Sequence, residues 1–170
     1  GRLSKEKGFD RLIEIFNCDK LKESDYTLHI YGDGEEKENL INMINKYKLN
    51  NKIYIHPFTD NIKDKMLESD IYVLPSRTEG FGMVLIEAME CGLPCISFDI
   101  FGIDEIIKDN KNGYIIENSD IVQCRNKLNE LIIDNDKRLD MSKNAKESAR
   151  KFDIYIIGEK YKNVFKDVLY

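Results

Sequence analysis

Short apolar segments of strand character recur along this chain, most of them followed by a stretch of helical period. Tyr26–Gly32 (YTLHIYG), Lys52–Pro57 (KIYIHP), Asp70–Ser76 (DIYVLPS), Pro94–Phe98 (PCISF) and Gly113–Ile116 (GYII) read as strands. Between them, Phe9, Leu12, Ile13 and Phe16 carry the 3.6-residue period of a half-buried helix. Further helices are expected from the Asp33-Gly34 turn to Leu49, from about Asn61 to Glu68, after Gly82, and from Asp104 to Lys108. The remainder reads as helix alone: Ile121–Ile133, Asp136–Lys151 and Ile154–Leu169. Such alternation predicts an α/β fold, an open, doubly wound parallel sheet with extra C-terminal helices. The strand DIYVLPS is nearly continuous in apolar residues, as a strand covered on both faces should be. Ligands of these sheets bind beyond the carboxyl ends of the strands, where strand order reverses. The first strand of such a sheet is central. Gly1-Arg2-Leu3 reads as the exit from a strand, so the first strand is expected to be truncated and the chain to start inside its own fold.

Composition narrows the partners. With 170 residues, 42% hydrophobic and 34% charged, the chain suits one globular domain, 1–170, and not a disordered one. Its net charge is −5, and Lys and Arg are interspersed with Asp and Glu, so no basic face for nucleic acid is expected. Cys18, Cys91, Cys95 and Cys124 form no CxxC pair and read as reduced, structural thiols. His29 and His56 share no ligand spacing with each other or with a cysteine, which argues against zinc. Neither a signal peptide nor an apolar run near twenty residues appears, so the domain reads as cytoplasmic.

The chemistry concentrates in Pro75–Pro94, PSRTEGFGMVLIEAMECGLP. Its helix reads as almost wholly apolar, yet Glu87 stands in its middle, and a buried unpaired carboxylate is costly. Glu79 lies eight residues upstream, across Gly80 and Gly82. A helix N-terminus preceded by glycines offers free amides to an anion. Arg2 and Lys7, in the loop that opens the first helix, would neutralise two negative charges there. Side chains on a helix lean toward its N-terminus, so Glu87 reaches toward the same end and can accept hydrogen bonds from a ribose. Cations, amides and two carboxylates around one cleft specify a phosphorylated sugar nucleotide.

These segments resemble the C-terminal, donor-binding domain of a retaining GT-B glycosyltransferase of the GT4 family, a Rossmann-like half. The resemblance rests on GRLSKEKGFDRLI, IYGDG, DIYVLPSRTEGFGMVLIEAMECGLP and DEIIKDNKNGYII, and Glu79 with Glu87 reproduces the family's Glu-x7-Glu motif. It implies a hexosyltransferase that moves a sugar, with a lean toward a UDP-hexose, from a nucleotide diphosphate to a glycan or lipid-linked acceptor of the bacterial cell surface. Arg2 and Lys7 would hold the diphosphate and stabilise its charge as it leaves. The backbone of Gly80, Phe81, Gly82, Met83 and Val84 would contact phosphate or sugar, Glu79 the hydroxyls of the transferred sugar and Glu87 the ribose. Phe58, after the second strand, is placed for the nucleobase, although its ring equally suits the core. No metal or cofactor is implied, and Asp33-Gly34-Glu35 reads as a turn rather than a metal motif.

Phe101-Gly102-Ile103-Asp104-Glu105 stands where relatives carry Gly-Gly-x-Pro-Glu, a loop facing donor and acceptor. The resemblance further implies an N-terminal acceptor domain outside this chain, activity only with that domain, and a place in the cytoplasm or at the inner membrane face. Without that domain Phe152, Tyr155, Ile156, Tyr161 and Phe165 should be exposed and promote self-association. Two other readings stay open: a glycosyl phosphorylase taking a sugar 1-phosphate, and a non-catalytic nucleotide-binding module.

Overall fold

A computed structural model describes the backbone of residues 1–169 and the side chains of residues 1–166. Tyr170, the end of the aromatic C-terminal segment, lies outside the described residues. After a single 3-10 turn at Lys5–Lys7, the elements run α1 (Phe9–Phe16), α2 (Asp19–Glu23), β1 (Leu28–Tyr31), α3 (Lys37–Lys46), β2 (Ile53–His56), α4 (Ile62–Leu67), β3 (Tyr72–Leu74) and α5 (Met83–Glu90). They continue with β4 (Cys95–Phe98), α6 (Ile103–Ile106), β5 (Gly113–Ile116), α7 (Ile121–Ile133), α8 (Asn135–Ala149) and α9 (Ile154–Leu169). Each expected strand is present: the first three are shortened at both ends, β4 loses Pro94, and β5 matches its expected bounds. The five-residue helix α2 was not expected, because it is too short to establish a period.

All pairings are parallel, but the strands form two sheets, β1-β2 and β3-β4-β5. Between β1 and β3 the ladder is interrupted. Gly1–Leu3 follows the end of β1, with the Gly1 amine donating to Tyr31 O (2.6 Å) and Leu3 N–H to Asp33 O (2.8 Å). Beside it lies a cavity of about 540 Å³ whose walls include Leu12 and Phe16 from α1, Ile30 from β1, Val73 from β3 and Leu128 from α7. The structure thus has the parallel strands and intervening helices of the expected α/β fold. It also corrects one expectation: β3 is only half-buried at Tyr72 and Val73, whereas the fully covered strand is β4, at the centre of its sheet with all four residues buried.

Two apolar clusters surround these sheets. One joins α1, β1, β2 and α7 through Leu12, Ile15, Ile30, Ile53 and Leu131. The other joins α5 to α8, where Leu85, Ala88 and Met89 pack with Ala145 and Ala149, and Ser142 donates to Gly92 O. The cysteines are free; burial pushes the Cys124 thiol up to about 12 and raises that of Cys95 as well, which keeps both protonated and inert. The two histidines are closer than their sequence separation suggested. Cross-strand register places His29 Nδ1 2.9 Å from His56 Nε2, so the two rings share a hydrogen bond. Among the described residues no helix is long and apolar enough to cross a membrane.

An ion cluster clasps α7 to α8 over the buried ring of Tyr114. Glu130 accepts hydrogen bonds from Lys137 and Lys127. The Lys137 bond, then that of Lys127, outweighs burial and holds the Glu130 carboxyl down, from its ordinary 4.5 to about 2. A carboxyl with a depressed folded pKa contributes stability at pH above its unfolded value and loses it as pH falls through the folded one. The Tm of the wild type should therefore fall more steeply than that of Glu130→Gln between pH 4.5 and about 2. Parallel Tm curves for the two proteins over that range would assign Glu130 no such role.

Candidate functional site

Two loops at the carboxyl ends of the strands meet here. The first runs through Arg2 and Lys7 into α1, and the second leaves β3 and runs through Glu79 into α5. Lys7 Nζ donates to Glu79 Oε1 at 2.7 Å, and Ser76 Oγ donates to the same oxygen at 2.7 Å. Glu79 is 11% exposed and Lys7 35%, so the carboxylate is sunk into the wall while the ammonium faces the opening. Lys7 and Glu79 were expected to serve the same ligand, and the structure brings them into direct contact. Val84 and Gly1 line the same cavity as Lys7 and Glu79.

Gly82 caps α5 with φ 79°, a left-handed conformation that frees the first amides of the helix to face solvent. A Cβ added at Gly80 would meet nothing within 4 Å. Phe81 rests edge-on against Phe152, ring centroids 6.1 Å apart. Met83 is exposed at the first turn.

Two residues stand differently from expectation, and a third settles an alternative that the sequence left open. Glu87 is exposed, not buried: α5 turns Met83, Glu87 and Glu90 outward, one stripe at helical spacing, and buries Leu85, Ile86, Ala88 and Met89. Met83 in that stripe disguised it as an apolar face. No burial cost attaches to Glu87, and it is not among the residues that line the cavity. Arg2 is 75% exposed and lies 3.4 Å from Glu35, apart from the Lys7–Glu79 contact. Phe58, at the end of β2, is 70% exposed and so does not belong to the core. Asp33 accepts from Gly34 N–H (2.8 Å) and Lys37 (3.1 Å), the contacts of a turn. Phe101, in the loop before α6, projects into solvent.

The site also contains residues that sequence reasoning passed over. Arg77 makes a bidentate pair with Asp10 (2.9 and 2.6 Å) and donates to Lys5 O (2.8 Å). Burial pushes the Asp10 carboxyl up, but hydrogen bonding and charge from Arg77 outweigh it and hold the group below its usual range. Arg11 is buried beneath the same loops. It donates to Asn118 (3.2 Å), Ser119 (3.0 Å) and, at longer range, to Pro75 O (3.3 Å), with its guanidinium 4.7 Å from the centre of the Phe98 ring.

Residues 1–148 match the family described as Glycosyl transferases group 1. The chain is 33% identical over 165 residues to a glycosyltransferase of Haemophilus influenzae, covering 96% of this chain and 47% of that protein. Its fold superposes on Anabaena Alr3699/HepE in complex with UDP at TM-score 0.90 and 26% identity, over 98% of this chain and 47% of the other. It also superposes on the C-terminal domain of the group 1 family protein LpcC of Francisella tularensis at TM-score 0.83 and 29% identity, over 91% and 84% of the two chains. The chain spans about half the length, or less, of the curated relatives it matches.

Proposed function

The chain belongs to the glycosyl transferases group 1, with the GT-B type of Rossmann-like fold, and from this premise we propose that it is the donor half of an anomer-retaining hexosyltransferase. Its donor is a nucleotide diphosphate sugar, of which a UDP-hexose is favoured by the UDP held in the Anabaena neighbour. The observation that carries this reading is the contact of the Lys7 ammonium with the Glu79 carboxylate, three residues before the Gly82 cap of α5. A diphosphate fits the ammonium and the amides. As the bond between sugar and diphosphate breaks, negative charge grows on the leaving oxygen, and fixed donors meet it without reorganising. Glu79, with one oxygen already held by Lys7 and Ser76, keeps its other oxygen for hydroxyls of the sugar. Arg2 approaches the diphosphate after leaving its weak, exposed pairing with Glu35.

The partner of this half is an acceptor domain outside the chain, and the acceptor itself is a glycan or a lipid-linked, membrane-associated one. The apolar face of α9, with Tyr155, Ile156, Tyr161 and Phe165 exposed, suits contact with that domain and, in an isolated chain, self-association. Incubating the full-length protein with UDP-, GDP- and ADP-hexoses and following the anomeric proton by NMR tests the proposal. The expected product has the anomeric configuration of its donor. An inverted product removes retention, and turnover of a sugar 1-phosphate with inorganic phosphate, without any nucleotide, would establish the phosphorylase reading instead.

Glu87 supplies a further test. On this reading Glu87→Gln replaces a charged acceptor of two ribose hydroxyls by a neutral one. UDP should bind about tenfold more weakly by calorimetry, in line with the greater strength of hydrogen bonds to charged groups. Equal affinities would remove Glu87 from the ribose site.

A further inference from the structure

We propose that Arg77, clamped by Asp10, is a positioning residue that sets the separation of Lys7 and Glu79; the inference rests on the donor-site reading above. Lys7 and Glu79 lie 72 residues apart in sequence, on loops from different parts of the sheet, yet their function requires a fixed distance between them. Arg77 is two residues before Glu79, and everything it grips lies around Lys7. Its backbone N–H donates to Glu6 O (2.7 Å). Its Nη1 donates to Lys5 O (2.8 Å) and to Asp10 Oδ1 (2.9 Å), and its Nη2 donates to Asp10 Oδ2 (2.6 Å). The three anchors are residues 5, 6 and 10, so the loop carrying Lys7 is held on both sides of Lys7 by one guanidinium and one amide. Asp10 is fixed in turn by its place in the first turn of α1.

The geometry separates positioning from bulk stabilisation. The side chains of Arg77 and Asp10 are 33% and 30% exposed, and ion pairs with that much water contribute little to global stability. A displacement of about 1 Å at a reacting centre can nevertheless cost about 10²-fold in rate. The planar fork of Arg77 is what joins a carbonyl and a carboxylate at once, which a lysine ammonium on a flexible stem does less well.

The test uses the full-length protein and its sugar donor with Arg77→Gln, Arg77→Lys and Asp10→Asn. For Arg77→Gln, kcat should fall about 10- to 100-fold while the KM for the donor changes less than about threefold. Arg77→Lys should recover only part of the loss, and Asp10→Asn, which keeps a hydrogen bond and removes a charge, should lose less than Arg77→Gln. Hydrogen exchange provides a readout that does not depend on turnover. Residues 2–8 and 75–82 should exchange faster in Arg77→Gln, while β4 and β5 retain wild-type protection. A kcat within about twofold of wild type overturns the proposal. So does exchange that rises equally in β4 and β5, which marks Arg77 as a merely stabilising residue. If the wild-type protein transfers no sugar from any donor, the donor-site reading fails, and the exchange pattern alone decides whether Arg77 couples the two loops.

Discussion

Replacing Lys7 by alanine in the full-length protein is expected to lower kcat by about 10²–10³, the usual cost of removing one fixed donor from the oxygen on which charge develops. The expectation follows from geometry. Lys7 makes a 2.7 Å contact with Glu79 in the loop before α5, and its ammonium is more exposed than that carboxylate, which suits contact with the proposed diphosphate. Its loss has two consequences. The leaving diphosphate loses a charge-assisted partner, and Glu79 loses one of the two donors that orient it, keeping only Ser76. Arg2→Ala is expected to act in the same direction with a smaller effect, because Arg2 is held only by an exposed contact with Glu35. Steady-state kinetics with donor varied at saturating acceptor separate the cases. A Lys7→Ala protein with wild-type turnover would disconnect this ammonium from the reaction.

Gly8→Ala should be the most damaging small substitution in the two loops. Gly8 has φ 66°, and an added Cβ would stand 2.2 Å from the carbonyl oxygen of Pro75. A left-handed alanine alone costs on the order of 1 kcal/mol. The contact with a backbone atom must then be relieved by moving the Lys7 loop away from the Glu79 loop, which also pulls on the Arg77–Asp10 clamp. The total is on the order of 3 kcal/mol of stability, with loss of kcat alongside it. Gly80→Ala, at a position with open space around the added methyl, supplies the control and should leave the melting temperature unchanged. Equal thermal melts for the two variants would mean that the loops do not need their close approach at Gly8.

What was legible in the sequence was local. The strands announced themselves because β-branched and aromatic runs bounded by glycine and proline have few other uses, and β5 and α7 lie where the pattern put them. Lys7 and Glu79 were singled out because glycines beside charges at the ends of strands suggest anion binding, and their contact was not foreseen. Contacts between loops far apart in the chain leave no such trace. Arg77 and Asp10, 67 residues apart, belong to no motif that would pair them, and nothing in the spacing marks Arg11 as buried. His29 and His56 meet only through the register of β1 on β2, which depends on a pairing no spacing reveals. Glu87 was misjudged for a different reason: the outward stripe of α5 begins with a methionine, so hydrophobicity alone hid the face that looks to solvent.

The claim on which the rest depends is that the loop of Lys7 and the N-terminus of α5 together form a seat for a diphosphate. Calorimetric titration of the full-length protein with UDP and with uridine measures this directly. UDP should bind at least about tenfold more tightly than uridine, since the two phosphates add charge-assisted hydrogen bonds, and Lys7→Gln should narrow this difference while leaving uridine affinity unchanged. Equal affinity for UDP and uridine in the wild type, or an advantage of UDP that Lys7→Gln leaves intact, would contradict it.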